Sequence, residues 1–400
     1  MSARQSNTTH TIKAPSAARR FHALDSFRGI CAVFVVLFHT RILHSFSEYS
    51  FFRNGHRFVE FFFILSGFVM CYTYGEAKFN REKMKDFMIG RTFRLYPMHI
   101  LMLLFFLGLE LFKLYGSSKG MVFDKEPFTD QQAPGQILPN LLLIHAWIPG
   151  ISSNSFNYVS WSISIEFYLY VIFGLVLMFI PARQKLAFAV ISLTALTALF
   201  LHINIPTYEA LRGLFCFFAG CFLFFIYKKT EAAVLNKMLF TLLECLAITS
   251  VVLITLANIE NKNIYISLIF AFTILVFAFE KGSLSDLLKA RPFLFLGQLS
   301  YSIYIIHAGI LAALMPVITM AGKVLHKNLI TITDNGSEKI RFVTSHNVYI
   351  DNIFTLVILG LTITISYFTY TYVEVRFIAL GKKYRAKVRS SGKVNRTSLV

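Results

Sequence analysis

The sequence predicts an all-α, polytopic membrane protein with about ten transmembrane helices and with both termini in the cytoplasm. First, 56% of the 400 residues are hydrophobic and only 15% are charged, a composition far from that of soluble domains. Second, the apolar residues form runs of about 20, the length that a helix needs to cross a bilayer. Third, basic residues cluster in alternate connections between these runs, as the positive-inside rule expects of cytoplasmic loops.

The apolar runs give the predicted order of the helices. They lie at 24–44, 57–75, 97–115, 161–180, 186–203, 209–227, 238–257, 264–280, 293–320 and 351–377. A further run at 136–148 is too short to cross, so we interpret it as an interfacial or re-entrant segment. The first run is long and lacks a small-residue cleavage site, which favours a retained helix over a signal peptide.

The basic residues set the predicted orientation and the domain boundaries. With a cytoplasmic N-terminus, that side of the membrane holds Arg19 and Arg20, 78–94, Arg183 and Lys185, Lys228 and Lys229, 281–291 and 382–396. The polar segment 1–20 is predicted to be disordered and cytoplasmic. It precedes a membrane domain at 21–377 and a basic cytoplasmic tail at 378–400.

Composition also argues against several classes of site and partner. The net charge of +18 falls in loops that set topology and not in a nucleic-acid-binding motif, so we expect membrane lipids and no nucleic acid as partners. The five cysteines lie in or beside apolar runs without the paired spacing of a metal site or a disulfide framework. We therefore expect no metal, and interpret the cysteines as small hydrophobic residues.

Arg28 and His39 of the first apolar run are ionisable and lie eleven positions apart. Eleven helical residues return to within about 20° of the starting direction and cover roughly 16 Å. The two side chains therefore share one face of the helix. Because an ionisable group within a membrane span usually faces a protein interior or a water-filled cavity, this face is a candidate functional site.

Counting 1.5 Å per residue from each predicted entry point separates the polar residues by depth. Arg28, Arg91 and Arg94 lie near the cytoplasmic face. His39 lies about 22 Å and His307 about 21 Å from the cytoplasmic face. Glu166 lies roughly 8 Å from the opposite face of the membrane.

This distribution suggests a division of roles. Arg binds phosphate through bidentate, charge-assisted hydrogen bonds, so the three arginines are candidates to hold a phosphate-bearing substrate from the cytoplasm. A buried His near a carboxylate is a natural general base, which makes His39 and Glu166 the candidate catalytic residues. The alternatives are that the arginines extend to lipid head groups and that Glu166 simply faces water.

Helical spacing also predicts cavity-lining faces. Ser162 and Glu166 are four residues apart, and Ser300, Tyr304 and His307 share a face, although a tyrosine-rich packing seam is the alternative. Ser66 and Gly67 form a small pair for which close helix packing is the alternative. The possible cavity-lining residues are Ser66, Trp161, Ser162, Ser300, Tyr304 and His307. The isolated Glu110, Glu244 and Arg212 are interpreted as structural or pairing groups.

Five segments together resemble the acyltransferase-3 family of integral membrane O-acyltransferases. They are LDSFRG at 24–29 followed by His39, FFFILSGF at 61–68, RTFRLYP at 91–97, WSISIE at 161–166 and SYSIYIIH at 300–307. The resemblance runs from about 22 to 377. It departs from the common pattern at Ser26, Phe27 and Ile163, none of which is a predicted site residue.

The resemblance implies transfer of an acyl group, usually acetyl, from cytoplasmic acyl-CoA to a hydroxyl of a cell-envelope glycan such as O-antigen or exopolysaccharide. It implies that Arg28 and His39 are the signature pair, that Arg91 and Arg94 help to hold the donor phosphates, and that Glu166 is the acidic partner. Acyl-CoA would be a co-substrate, so no cofactor is expected. The acceptor would be a glycan or lipid-linked saccharide, and the location a bacterial inner membrane.

Three questions remain open at this stage. His39 could deprotonate the acceptor directly or carry the acyl group covalently. Some relatives add an extracytoplasmic SGNH-type esterase domain, which we do not expect here because the sequence continues for only 23 residues after position 377. A polytopic transporter or flippase of a glycan or small molecule is the alternative function.

Overall fold

A computed structural model of the chain describes residues 19–121, 123, 125–232, 236–334 and 339–397. The predicted disordered segment 1–20 lies outside the described residues except for Arg19 and Arg20. The helices are α1 (His22–His39), α2 (Ser50–Arg53), α3 (Phe58–Tyr74), α4 (Arg81–Ser118), α5 (Ile137–Leu141), α6 (Trp161–Phe179), α7 (Gln184–Phe200), α8 (Tyr208–Thr230), α9 (Lys237–Leu256), α10 (Lys262–Ala278), α11 (Ser283–Leu288), α12 (Arg291–Val324), α13 (Val348–Thr369) and α14 (Val375–Thr397).

The mostly helical, membrane-spanning architecture is confirmed. Within the described residues, nine helical segments are long and apolar enough to cross a bilayer. The predicted span at 264–280 corresponds to α10, a shorter apolar helix of 17 residues, or about 25 Å. The structure thus has nine long helices and one shorter one where ten spans were predicted, and the orientation of the termini stays a prediction.

Two connecting regions have structure of their own. The all-α prediction misses an antiparallel pair of strands, β1 (Ile330–Asp334) and β2 (Lys339–Val343), between α12 and α13. The segment at 136–148 forms the five-residue helix α5 followed by turns. It is far too short to cross a bilayer.

Side-chain caps fix where several helices begin. In each, the oxygen of an Asn or Thr accepts a hydrogen bond from a backbone N–H in the first turn, which satisfies a group that has no partner within the helix. These caps are Asn80 at α4, Thr207 at α8, Asn236 at α9 and Asn347 at α13.

Helix α4 extends well beyond the thickness of a membrane. Its 38 residues span about 57 Å, against about 30 Å for the hydrocarbon core. Next to its first turns lies α14, which continues the last span through a π-helical turn, Tyr370–Glu374, and contains the predicted tail as far as Thr397. Arg389 of α14 donates to Asp86 of α4 at 2.6 Å.

Two helix crossings depend on paired glycines. A methyl group added to Gly67 of α3 would lie 1.8 Å from the carbonyl oxygen of Phe217 in α8, and one added to Gly220 of α8 would lie 2.0 Å from that of Ile64. Gly29 of α1 packs in the same way on α12. Only residues without a side chain allow the backbones to come this close.

Candidate active site

A cavity of about 400 Å³ lies among α1, α3, α4, α6 and α12, and we call it the arginine cavity. Along α3 its lining extends from Val59 to Thr73, a distance of about 21 Å. Arg19 and Arg20 lie near the end of α3 at one end of the cavity, and Phe62, Ser162 and Tyr304 line the other. The space is therefore elongated and lies within the helix bundle.

The three predicted donor-binding arginines converge in this cavity. Arg28 of α1 and Arg91 and Arg94 of α4 all line it. None of the three donates a hydrogen bond to any described residue, although Arg91 lies over the rings of Phe87 and Tyr170. Guanidinium groups with unused donors can bind an anion through charge-assisted hydrogen bonds.

Glu166 lies with these arginines rather than with His39. Its Oε1 accepts hydrogen bonds from Ser66, at 3.1 Å, and from Tyr170, and His39 is not among its partners in the described chain. The depth count from the sequence places Glu166 toward the opposite membrane face from the arginines, whereas in the structure Arg28, Arg91, Arg94 and Glu166 all line the same cavity.

The other predicted lining residues divide into two groups. Ser66, Ser162, Ser300 and Tyr304 line the arginine cavity, with Ser162 donating to the Tyr304 hydroxyl at 2.8 Å. Trp161 and His307 lie beside it. Of the small pair in α3, Ser66 faces the cavity, as the cavity-lining prediction expects. Gly67 packs on α8, as the alternative of close helix packing expects.

The side chain that is hydrogen-bonded to His39 is that of His307. Nε2 of His307 lies 3.1 Å from Nδ1 of His39, and the two ring centroids are 5.0 Å apart. The ring of Tyr304, which lines the end of the arginine cavity, is 6.0 Å from that of His307. The histidine pair is thus one aromatic ring beyond the cavity.

Backbone carbonyls determine which nitrogens of the two rings carry protons. Nδ1 of His39 lies 3.0 Å from the oxygen of Val35, and Nδ1 of His307 lies 3.3 Å from that of Ile303. A carbonyl oxygen only accepts, so in each neutral ring the proton is assigned to Nδ1. Nε2 of His307 then accepts from His39, and Nε2 of His39 keeps a lone pair that no described residue uses.

Arg53 fixes the end of the helix that carries His39. Its guanidinium donates to the carbonyl oxygens of Leu37 and Phe38, at 2.7 and 2.5 Å, which are among the final carbonyls of α1 that lack helical partners. Burial lowers the pKa of Arg53 to about 10, which still leaves it protonated at neutral pH. A cation at a helix C-terminus also interacts favourably with the helix dipole.

Sequence reasoning missed Glu374 and Tyr170. Glu374 is 5% exposed, accepts a hydrogen bond from Ser302 at 3.0 Å and belongs to the π-helical turn, a feature common at functional sites. Both residues were detectable, because a carboxylate in an apolar span and a Tyr four residues after Glu166 are visible in the sequence.

The isolated charged residues have structural partners, as predicted. Glu110 pairs with Lys113, and Arg212 pairs with Glu60, each at 2.5 Å. Glu244 of α9 accepts from the backbone N–H groups of Gly282, Leu284 and Ser285 and so caps α11.

Two curated proteins are similar to parts of the chain. Protein 2 in the picA locus of Rhizobium radiobacter is 35% identical over 92 residues, which are 22% of this chain and 44% of that protein. The acyltransferase MdmB of Streptomyces mycarofaciens is 32% identical over 120 residues, 29% of this chain and 27% of that protein. The chain therefore matches less than half the length of either relative. No solved structure matches it significantly.

A family model described as an acyltransferase domain, that of acyltransferase-3, matches residues 21–371. That range contains all five sequence segments and every lining helix of the arginine cavity. Because the match extends over nearly the whole chain, the protein belongs to the acyltransferase-3 family.

Proposed function

We propose that the protein is a membrane O-acyltransferase that moves an acyl group, with acetyl as the first candidate, from cytoplasmic acyl-CoA to a hydroxyl of a cell-envelope glycan. The observation that carries the proposal is the convergence of Arg28, Arg91 and Arg94, with their donors unused, in a cavity that ends near His39. A bacterial inner membrane is the location that this function requires.

The arginine cavity suits a long, phosphate-bearing donor. Arg19 and Arg20 lie near the end of α3, and the three other arginines lie deeper, so successive phosphates could each meet a guanidinium. Glu166, held by Ser66 and Tyr170, is placed to orient the guanidinium groups. The acyl end of the donor would then lie beside Tyr304 and the histidine pair.

His39 provides the base for the transfer. Its Nε2 lone pair would take the proton from the acceptor hydroxyl as the oxygen attacks the thioester carbonyl, and the C–S bond then breaks to release CoA, whose sulfur receives the proton. The same lone pair could instead attack the thioester, so that the C–S bond breaks and CoA leaves as the thiolate; the acceptor hydroxyl then takes the acyl group from Nε2, and its proton passes to the thiolate. In both routes His307 holds the ring of His39 through Nδ1.

The experiment is acetyl-CoA turnover by the purified protein in nanodiscs supplied with envelope glycan, with thiol release and glycan mass followed together. We expect the wild type to release CoA and to add the mass of one acetyl group. His39→Ala should lower the rate by about 10²–10⁴-fold, the usual contribution of a general base.

The matched control is His44→Ala, since His44 is an exposed histidine just beyond the end of α1. It should leave the rate unchanged. Normal transfer by His39→Ala at a normal protein level would overturn the assignment of the base. If CoA is never consumed with any envelope extract, the acyltransferase proposal fails and substrate flux should be measured instead.

A further inference from the structure

A second polar cavity, of about 300 Å³, lies at the opposite end of α3 from Arg19 and Arg20. It lies among the first residues of α3, α8 and α10 and the last residues of α7, and we call it the Glu60 cavity. Its lining includes the charged residues Arg57, Glu60, Arg212 and Lys262, together with Tyr208. Because α3 crosses the bilayer, this cavity and the Arg19 end of the arginine cavity lie toward opposite membrane faces.

Glu60 has one oxygen without a partner. The side chain is 1% exposed, and Oε1 accepts two hydrogen bonds from Arg212, at 3.1 and 2.5 Å. Oε2 is buried and has no hydrogen-bond partner among the described residues. A buried acceptor without a partner destabilises the protein, so a hydroxyl donor from a ligand would bind favourably here.

Arg212 is held rigidly at the wall of this cavity. Besides its two bonds to Glu60, its guanidinium lies over the rings of Trp161 and Tyr208, at 5.4 Å from each centroid. A cation stacked in this way needs no reordering to meet a ligand. Trp161, in turn, is the first residue of α6, next to Ser162 of the arginine cavity.

Two further cations meet at one atom. Arg57 Nη1 and Lys262 Nζ both donate to Oδ1 of Asn54, at 2.6 and 3.3 Å. Like charges held this close repel each other, and an anion bound between them would relieve the repulsion. With Arg212 included, three cations and one carboxylate form the charged lining of the cavity.

We propose that the Glu60 cavity binds an acidic saccharide, with the carboxylate or phosphate of the sugar on Arg57 and Lys262 and a sugar hydroxyl donating to Oε2 of Glu60. The combination of an anion site and a hydroxyl acceptor selects a ligand that carries both groups. The identification of this saccharide as the acyl acceptor rests on the function proposed above. The binding of the saccharide to the cavity does not depend on that function.

Binding can be measured without any acyl donor, through the fluorescence of Trp161. The protein has two tryptophans, so Trp147→Phe leaves Trp161 as the reporter in phosphatidylcholine nanodiscs. We expect glucuronic acid and glucose 1-phosphate to change its emission saturably and glucose to have no effect. Acetate, an anion without hydroxyls, should bind about tenfold more weakly because it cannot reach Glu60.

In the same background, Lys262→Met and Arg57→Gln should each weaken binding of glucuronic acid by about tenfold or more. The matched control is Lys119→Met, an exposed cation just after α4 on the same membrane face, which should bind as the parent protein does. If Arg57→Gln does not fold, Lys262→Met still tests the proposal, because Lys262 is only half-buried.

The proposal is overturned if glucose or acetate binds as well as the acidic sugars, or if Lys262→Met binds as tightly as the parent. It is also overturned if only nanodiscs that contain phosphatidic acid change the emission, because the cavity then holds a lipid head group. Acidic sugars that bind without ever being acylated would overturn the proposed function and leave this inference standing.

Discussion

His39 and His307 act as one unit at the scale of single residues. The carbonyl of Ile303 orients the ring of His307. The ring of His39 is oriented in turn by His307 and by the carbonyl of Val35, which leaves the lone pair on Nε2 of His39 unused by the described residues. A base works only when its lone pair points at the proton that it removes. If His39 is the base, as proposed, His307 is a positioning residue, since it acts through His39.

Replacement of His307 separates positioning from binding. His307→Leu should lower kcat by roughly tenfold through loss of one hydrogen bond to His39, while the KM for acetyl-CoA stays the same. His307→Gln, whose side-chain oxygen can still accept from Nδ1, should recover part of kcat. Steady-state kinetics in nanodiscs checks both values, and an equal loss in the two variants, or a raised KM, would contradict this role.

Much of the site is visible in the sequence at this scale, but its pairings are not. Arg28, His39 and Glu166 are conspicuous because charged groups are costly in apolar runs. His39 and His307 are 268 residues apart, and nothing in their own helices shows that they meet. Contacts across helices depend on how each helix is rotated and which helix is its neighbour, so spacing along one helix could not identify His307 as the partner.

At the scale of helices, the crossing of α3 and α8 depends on Gly67 and Gly220. Gly67→Ala would place a methyl group against the carbonyl of Phe217, and we expect the overpacking to cost about 1–3 kcal/mol. A lower thermal midpoint of the purified protein would show this cost.

Gly108→Ala is the matched control, because Gly108 lies within α4 and no atom lies within 4 Å of the added methyl. Alanine favours helix over glycine by about 0.5–1 kcal/mol, so this variant should have an unchanged or higher midpoint. If the two variants have the same midpoint, the close approach of α3 and α8 does not contribute to stability.

The order of the helices could be predicted, whereas their irregular parts could not. An apolar run of about 20 residues is a strong signal of a spanning helix, which explains the agreement for α1, α3 and α6. The five-residue strands β1 and β2 and the π-helical turn lack such a signal, since their hydrogen bonding depends on the surrounding structure.

At the scale of the whole molecule, the two cavities approach the site from opposite faces of the membrane. On the proposed function, the arginine cavity would bring the acyl donor toward Tyr304, and Arg212 in the wall of the Glu60 cavity lies over the ring of Trp161, the residue next to Ser162. If both proposals hold, the protein joins a donor and an acceptor that never share a compartment. The predicted orientation would put the donor on the cytoplasmic side.

Cysteine labelling tests that orientation. In a Cys245→Ser background, which removes the exposed native cysteine, Lys119→Cys and Lys229→Cys place single thiols after α4 and near the end of α8. The positive-inside rule predicts that a membrane-impermeant maleimide added to intact spheroplasts labels Lys119→Cys only. The reverse pattern would invert the topology, and with it the side from which acyl-CoA enters.

Ser66 and Gly67 are neighbours in the chain and face different requirements. The side chain of Ser66 donates to Glu166 in the arginine cavity, whereas position 67 is limited by the backbone of α8. During evolution a change of substrate could therefore alter residue 66 together with its partner Glu166, while residue 67 could change only together with a rearrangement of two helices. Adjacent codons would then diverge at very different rates, one following the chemistry of the enzyme and the other its architecture.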